Sequence, residues 1–297
     1  MADRHFRRSM MIVVAALAAT AGAPASAQTI PTIDTEDAAL GSADTISGGR
    51  VHPTLSFDLR NGDFARGAYD DDRADLDRLP VHAQIGVAID LMRDADGKAS
   101  GWLVLRSSNG IHAPNRSETA SPRGWYESNN LAALVLSPAK GSRIAAVYTI
   151  KTSPNGVSDT THEASLSFAY DGDDALGMLA PTVVATIRPK GDHGLFARVG
   201  VEPDVDLSSR EGGPKLSLPI VAGIGAHGFY GRRSGDRTYL SVGAAIEQAF
   251  LIDTSSWTAR LEALALIRDE RLARLSGPDG ETGTVVPLIT LSVSMAY

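Results

Sequence analysis

The chain has 297 residues, of which 21% are charged and 6% aromatic, with no cysteine and a formal net charge of −7. The absence of cysteine excludes disulfide staples, thiolate catalysis, thiolate metal sites and a lipoprotein anchor. The acidic balance excludes the electrostatic footprint of a nucleic-acid binder.

The first residues carry an export pattern. Arg4, Arg7 and Arg8 form a basic segment, and Met10 to Thr20 is an unbroken run of apolar and small residues. Ala25-Ser26-Ala27 supplies the small-x-small pattern of a signal-peptidase site, which predicts a cleaved signal peptide at 1–27 and a mature chain from Gln28. An uncleaved anchor helix is the alternative, but the run falls short of the roughly 20 residues that span a bilayer. Residues 28–50 lack periodicity and are rich in Asp, Thr, Ser and Gly. This composition predicts a flexible periplasmic extension, with a short plug in a barrel lumen as the other reading.

From residue 51 to 297 the dominant period is two. In VVPLITLSVSMAY, Val285, Pro287, Ile289, Leu291, Val293, Met295 and Tyr297 fall on one face, and Leu288, Thr290, Ser292, Ser294 and Ala296 on the other. The same split recurs at 81–92, 195–207, 215–227 and 239–250, and more weakly at 51–60, 101–107, 131–137, 143–151, 161–170, 181–188 and 256–268. That predicts an all-β chain of about twelve strands, an even number. The apolar faces carry no Asp, Glu, Lys or Arg, as a lipid-facing wall requires, since a charge there costs roughly 2–4 kcal/mol.

A soluble β-sandwich also alternates. Three features favour a single antiparallel transmembrane barrel. Several strands reach the length of about 9–11 residues that crosses a membrane. Short turns near Asp94-Ala95-Asp96-Gly97, Pro138-Ala139-Lys140-Gly141 and Ile252-Asp253-Thr254 alternate with long loops at 61–79, 108–129 and 270–284. With the C-terminus periplasmic, Tyr170, Phe250, Trp257 and Tyr297 fall together at the periplasmic strand ends as one aromatic girdle, while Phe229 and Tyr230 are the best candidates for the outer one. Pro219 and Pro287 count against this reading, because each removes a ladder hydrogen bond.

The C-terminal strands carry a likeness. PTVVATI, GLFARVGVEPDVDL, LSLPIVAGIG, TYLSVGAAIEQAF and SSWTARLEALAL resemble a loosely defined family of outer-membrane porin-like barrels of Gram-negative bacteria. Gly200-Val201-Glu202, Leu218-Pro219 and Ser241-Val242-Gly243 carry the resemblance, which covers roughly the last 120 residues. It implies a barrel, export, and a terminal aromatic, Tyr297, read by the barrel-insertion machinery. It implies no established substrate and no catalytic residue.

Motifs for chemistry are few. Gly231-Arg232-Arg233-Ser234-Gly235 has its serine one position late for a nucleophile elbow. Asp94-Ala95-Asp96-Gly97 begins like a calcium loop, but the twelfth position is Leu105, and Asp-Gly is also hairpin chemistry. The acidic run Asp70-Asp71-Asp72-Arg73-Ala74-Asp75-Leu76-Asp77 reads as a solvated loop or a cation recruiter. His162-Glu163 and His227 sit at expected extracellular strand ends, where barrel hydrolases place catalytic groups, but no triad is legible.

The informative set is the expected lumen face. Asp58, Arg60, Gln84, Asp90, Arg106, Lys151, Arg188, Arg198, Glu202, Asp204, Asp206, Glu247, Arg260 and Glu262 point inward in this phase, with Arg198, Glu202, Arg260 and Glu262 nearest the middle. Charges of both signs lining a pore set solute preference. The expected function is a narrow outer-membrane channel for passive passage of small polar solutes or ions, without catalysis or cofactor, its partners being outer-membrane lipid, the insertion machinery and the solute. A closed structural barrel, a barrel hydrolase and a soluble secreted binding module are the alternatives.

Overall fold

The structure, a computed structural model, describes residues 28–45, 49–69, 76, 79–114, 116, 118–210, 212–231, 234–252, 255–275 and 283–297. The expected signal peptide at 1–27, most of the acidic run at 70–77, and Arg232, Arg233, Asp253 and Thr254 lie outside the described residues.

In chain order, β1 (Gln28–Ile33) and β2 (Leu40–Thr45) form a hairpin that is followed by the first wall strand, β3 (Val51–Arg60). The two-residue strands β4 (Phe64–Ala65) and β5 (Ala68–Tyr69) make a small ladder in the next loop. The wall continues with β6 (Val81–Arg93), β7 (Ala99–Ile111), β8 (Trp125–Leu136), β9 (Ser142–Thr152), β10 (Thr161–Tyr170) and β11 (Thr182–Lys190). β12 (Leu195–Val201) runs on as β13 (Asp204–Asp206), and β14 (Lys215–Ser217) as β15 (Ile220–Ala226). β16 (Arg237–Ile252), β17 (Ser255–Arg268) and β18 (Val285–Ala296) complete it, with a single helical turn, α1 (Glu270–Ala273), between the last two.

Each strand pairs antiparallel with the next, and β18 returns to β3 from Thr290↔Arg60 to Ala296↔Thr54. The ladder is therefore a closed barrel of twelve strands, two of them interrupted. Closure leaves no edge, which is the condition for a sheet to span lipid. No helix among the described residues is long and apolar enough to cross a membrane, which says nothing of a barrel. The twelve strands expected from the sequence are the twelve observed, with boundaries moved by a few residues.

The prolines are accommodated by breaks in the ladder. Pro203 and Pro219 sit in the paired gaps between β12 and β13 and between β14 and β15. Both keep their acceptor role: Leu218 N–H donates to the Pro203 carbonyl at 3.0 Å, and Gly243 N–H to the Pro219 carbonyl at 3.1 Å. Pro287 lies beyond the stretch of β18 that pairs with β3. There Asn61 replaces the strand, donating from Nδ2 to the Pro287 carbonyl at 3.0 Å and accepting from Ile289 N–H at 2.8 Å.

The chain enters the wall at Val51 and leaves it at Ala296 on one rim, the turn end, where the short connections after β6 and β8 also lie. Outward side chains are apolar and exposed along the wall, as at Ile85 (64%), Leu166 (59%) and Val199 (56%). Such a belt on a closed sheet is a surface for lipid, and the fold is a membrane β-barrel of the outer-membrane type. Tyr170, Phe250, Trp257 and Tyr297 stand at the turn end on this outward face, with Phe250 directly opposite Trp257. The other expected girdle pair is corrected. Phe229 is fully buried, stacked near Phe196 at a centroid distance of 5.3 Å, and the Tyr230 hydroxyl donates to the Arg66 carbonyl at 2.7 Å. Both turn into the barrel mouth, where the Arg66 and Arg188 guanidinium groups lie over the Phe229 ring and Tyr230 meets that ring edge-on at 5.3 Å.

The second correction concerns residues 28–50. Of this expected flexible extension, Gln28–Thr45 is an ordered hairpin inside the barrel. Ile30, Ile33, Ala38 and Leu40 pack on inward side chains of β6 to β10, among them Trp102, Val104, Leu131, Val135 and Val147. Burial of this apolar surface, at roughly 25 cal/mol per Å², is what a disordered tail lacks. A second apolar cluster, formed by Phe64, Phe196, Phe229, Tyr239, Leu266, Leu272 and Val286, fills the opposite rim, the loop end, beside β16 to β18.

Candidate functional site in the barrel interior

The hairpin turn is built locally. Asp34 Oδ1 accepts from Glu36 N–H at 2.9 Å, Asp34 N–H donates to the Ala39 carbonyl at 2.7 Å, and Ala38 takes a left-handed conformation (φ 55°). The turn points Glu36 and Asp37 at the wall. Glu36 meets Arg60 on β3, and Asp37 meets Arg198 on β12 and, at 3.6 Å, Arg66 in the β4–β5 turn. Arg106 on β7 donates to the Ile33 carbonyl at 2.5 Å and to Gln84 Oε1 at 3.1 Å. Three wall strands, β3, β7 and β12, thus hold the plug by charge and hydrogen bond, and the apolar stripe holds it by burial.

Around Arg60 the groups crowd. Its guanidinium donates to Asp58 Oδ2 at 2.6 and 3.0 Å and stands 3.5 Å from Asp63 Oδ1. His82 Nε2 and the Tyr126 hydroxyl are hydrogen-bonded at 2.7 Å, and Nε2 lies 3.4 Å from Glu127 Oε2 and 3.7 Å from Asp63 Oδ2. His82 Nδ1 is 3.7 Å from Asp58 Oδ1. Burial works against the charged form of Asp63, yet His82 and Arg60 hold its carboxyl at about 2. At Glu36 burial wins over Arg60 and, with Asp63, Asp34 and Glu127 close by, pushes the carboxyl up to about 8.

A second network lies toward the loop end. Glu163 on β10, buried, accepts a bidentate pair from Arg66 at 2.8 and 2.6 Å and a third bond from Arg188 at 2.9 Å, with Lys151 Nζ 4.0 Å away. Arg66 has a left-handed backbone (φ 53°), and its guanidinium lies 4.9 Å from the Phe196 ring and 5.2 Å from Phe229. Arg188 stacks over Phe229 at 3.9 Å. Toward the turn end, Arg260 joins Glu202 at 2.7 Å, Glu247 at 3.8 Å and Glu262.

The expected lumen residues are thus all located. Asp58, Arg60, Gln84, Arg106 and Arg198 face the hairpin, and Arg188 and Lys151 belong to the Glu163 network. Glu202, Glu247, Arg260 and Glu262 form the lower cluster. Asp204 pairs with Lys215 at 3.2 Å, half exposed at the turn end, and Asp206 lies opposite Lys215 in the ladder. Asp90 is buried against His52 at 3.2 Å and Arg93 at 2.7 Å near the same rim. His162, considered with Glu163 for hydrolysis, instead shares a hydrogen bond with the Tyr148 hydroxyl at 2.6 Å on the exposed side of the wall.

The lumen holds two cavities, of which the second borders the hairpin. One of about 660 Å³ at the loop end is lined by Arg66, Tyr126, Glu127, Lys151, Arg188 and Tyr230 among others. The other, about 410 Å³, runs between the hairpin and the wall formed by β3, β12, β17 and β18, lined by Arg198, Arg260, Glu262 and a row of Ser and Thr hydroxyls.

Sequence reasoning missed Glu36, Asp37, Asp63, Arg66, His82 and Glu127. One signal was present. Leu131-Ala132-Ala133-Leu134-Val135-Leu136 is apolar on both faces, which marks a strand covered on both sides. A barrel wall with an apolar lumen stripe needs an interior partner.

No family model matches the chain, and no curated protein does. Solved structures that are similar include a bacterial polysaccharide outer membrane secretin, 8% identical, covering 84% of this chain and 99% of that one at a TM-score of 0.45. LpxR from Salmonella typhimurium is 11% identical, with 82% and 99% covered at 0.39. OmpT of Vibrio cholerae is 9% identical, with 86% and 99% covered at 0.32. Likenesses of this size carry no argument about function. The barrel rests on its own closed ladder and apolar belt.

Proposed function

We propose that the protein is a gated outer-membrane channel for small polar solutes or ions, with the hairpin β1–β2 as its gate. The observation that supports this is the hairpin itself, which stands in the lumen beside a polar cavity and is pinned at its turn by ion pairs rather than by covalent bonds. The wall opposite the apolar stripe carries Arg198, Arg260, Glu202 and Glu262, so a solute passing the hairpin meets charge of both signs at close range. Ion pairs held by one turn are a few contacts to exchange, whereas the wall ladder is continuous; the hairpin is the element with the lower cost of displacement.

Conductance in a planar bilayer tests the reading. The wild-type chain is expected to show a small or intermittent conductance, and Glu36→Ala/Asp37→Ala a larger and steadier one, with both giving a heat-modifiable folded band. A folded double variant with unchanged conductance would favour a closed structural barrel.

A further inference from the structure

Glu36, Asp63, His82 and Glu127 come from four separate places: the hairpin turn, the loop after β3, β6 and β8. Each offers one ligand atom, and these atoms all lie within 4.8 Å of one another. Separation in sequence makes the convergence a product of the fold. Acidic residues gather on many surfaces without purpose, but this cluster is interior: Asp63 is fully buried and His82 is 1% exposed. Neither oxygen of Asp63 accepts a hydrogen bond, and neither does Glu127 Oε2. A buried carboxylate left without donors costs free energy unless some group outside the chain satisfies it.

The charge balance points the same way. Glu36, Asp58, Asp63 and Glu127 face Arg60 and His82. With His82 neutral, as a ligand must be, four carboxyl groups crowd around the single guanidinium of Arg60, an acidic excess that a cation offsets. Lys151 does not close the gap, since its Nζ lies 3.4 Å from the Glu36 backbone carbonyl and reaches instead toward Glu163.

We propose that Glu36, Asp63, His82 and Glu127 form a binding site for a divalent transition-metal cation of the Mn²⁺ or Zn²⁺ kind, which ties the hairpin to the barrel wall. Three carboxylates with one imidazole suit such ions, whereas calcium favours an all-oxygen set. His82 is placed for it. Nε2 looks into the cluster while Nδ1 faces Asp58 at 3.7 Å, the carboxylate–histidine arrangement that orients a ligating ring. Arg60 holds a second contact to Glu36, and a cation on His82 Nε2 displaces the Tyr126 hydroxyl that bonds this nitrogen in its absence. The cation replaces the long contacts at 3.4 to 3.7 Å by short metal–oxygen and metal–nitrogen bonds. Because Glu36 belongs to the hairpin and the other three to the barrel and its loop, the ion is a cross-link between plug and wall. The site stands whether or not the barrel conducts.

The test uses the full mature chain, refolded in detergent without an affinity tag and stripped with chelator. Titration calorimetry with Zn²⁺ and with Mn²⁺ is expected to give one site per chain, and Asp63→Asn to weaken it at least about tenfold. Asp204→Asn, an acidic residue at the turn-end rim, is expected to bind as wild type. Limited proteolysis is expected to cut residues 28–45 faster in the stripped protein than in the metal-loaded one. A folded wild-type chain that takes up neither ion, or takes up calcium alone, would overturn the proposal. So would an Asp63→Asn chain that folds and binds unchanged. Because the readouts are binding and proteolysis, a barrel that never conducts can still hold the metal, and a conducting barrel can still lack it.

Discussion

At the scale of single residues, the barrel sorts neighbours onto opposite solvents. Arg198 and Val199 are adjacent in β12, yet one meets Asp37 in the lumen and the other is more than half exposed on the outer belt. The two positions are therefore expected to fail differently. Val199→Arg puts a charge among lipid tails at a cost of roughly 2–4 kcal/mol and is expected to reduce the folded, heat-modifiable fraction in the membrane. Arg198→Ala is expected to leave that fraction intact and to loosen the hairpin, because it removes a lumen partner of Asp37 and no wall contact. Equal folding defects in the two variants would contradict this assignment of faces. Alternation in the sequence sets the two residues on opposite faces. It did not show that Arg198 has a partner, since Asp37 is 161 residues away in the chain.

Elements that are weak alone become stable here through what they touch. A two-stranded hairpin is marginal in water. The β1–β2 hairpin is stable in the lumen because Ile30, Ile33 and Leu40 are buried against β7, β8 and β9 while the turn reaches Arg60 and Arg198. Ile33→Ala removes buried methyl groups at a cost of about 2–5 kcal/mol. That cost is expected to fall on docking of the hairpin and not on the wall. Hydrogen exchange should show residues 28–45 losing protection while β6 to β9 keep theirs, and a uniform loss over the barrel would count against an independently docking plug. The one-turn helix α1 is another element set by its surroundings. Asp269 caps it, accepting from Arg271 N–H at 2.9 Å and Leu272 N–H at 2.8 Å, and Leu272 fills the loop-end cluster.

For the molecule as a whole, closure is the decisive fact. β18 carries the seam, pairing β17 on one side and β3 on the other, and Tyr297 N–H donates to the Pro53 carbonyl at 3.2 Å. Deleting Met295, Ala296 and Tyr297 removes the last rungs, opposite Leu55 and Thr54. Open backbone groups at a membrane rim cost several kcal/mol each. The truncated chain is expected to be exported and cleaved normally but to lose the folded outer-membrane band on unheated gels. A truncated chain that folds and fractionates like the full one would show that the seam is not needed. Such a loss would also agree with the proposal that the insertion machinery reads the terminal strand, and binding of the isolated C-terminal peptide to that machinery separates the two effects.

The sequence by itself determined the wall. A period of two over twelve segments, faces free of charge, and a terminal aromatic strand are local properties, fixed by how side chains alternate along an extended backbone. Pro219 and Pro287 fit this wall, since each falls where a ladder bond is absent or replaced. Only the tertiary structure decided what fills the lumen. Residues 28–45 have the composition of a solvated tail, and their burial depends on an apolar stripe of β6 to β10 that is assembled when the barrel closes. The carboxylates of Glu36, Asp63 and Glu127 and the imidazole of His82 are ordinary polar residues along the chain. Curvature, a hairpin turn and an inward loop bring them within 4.8 Å of one another, and no periodicity in a sequence records that distance.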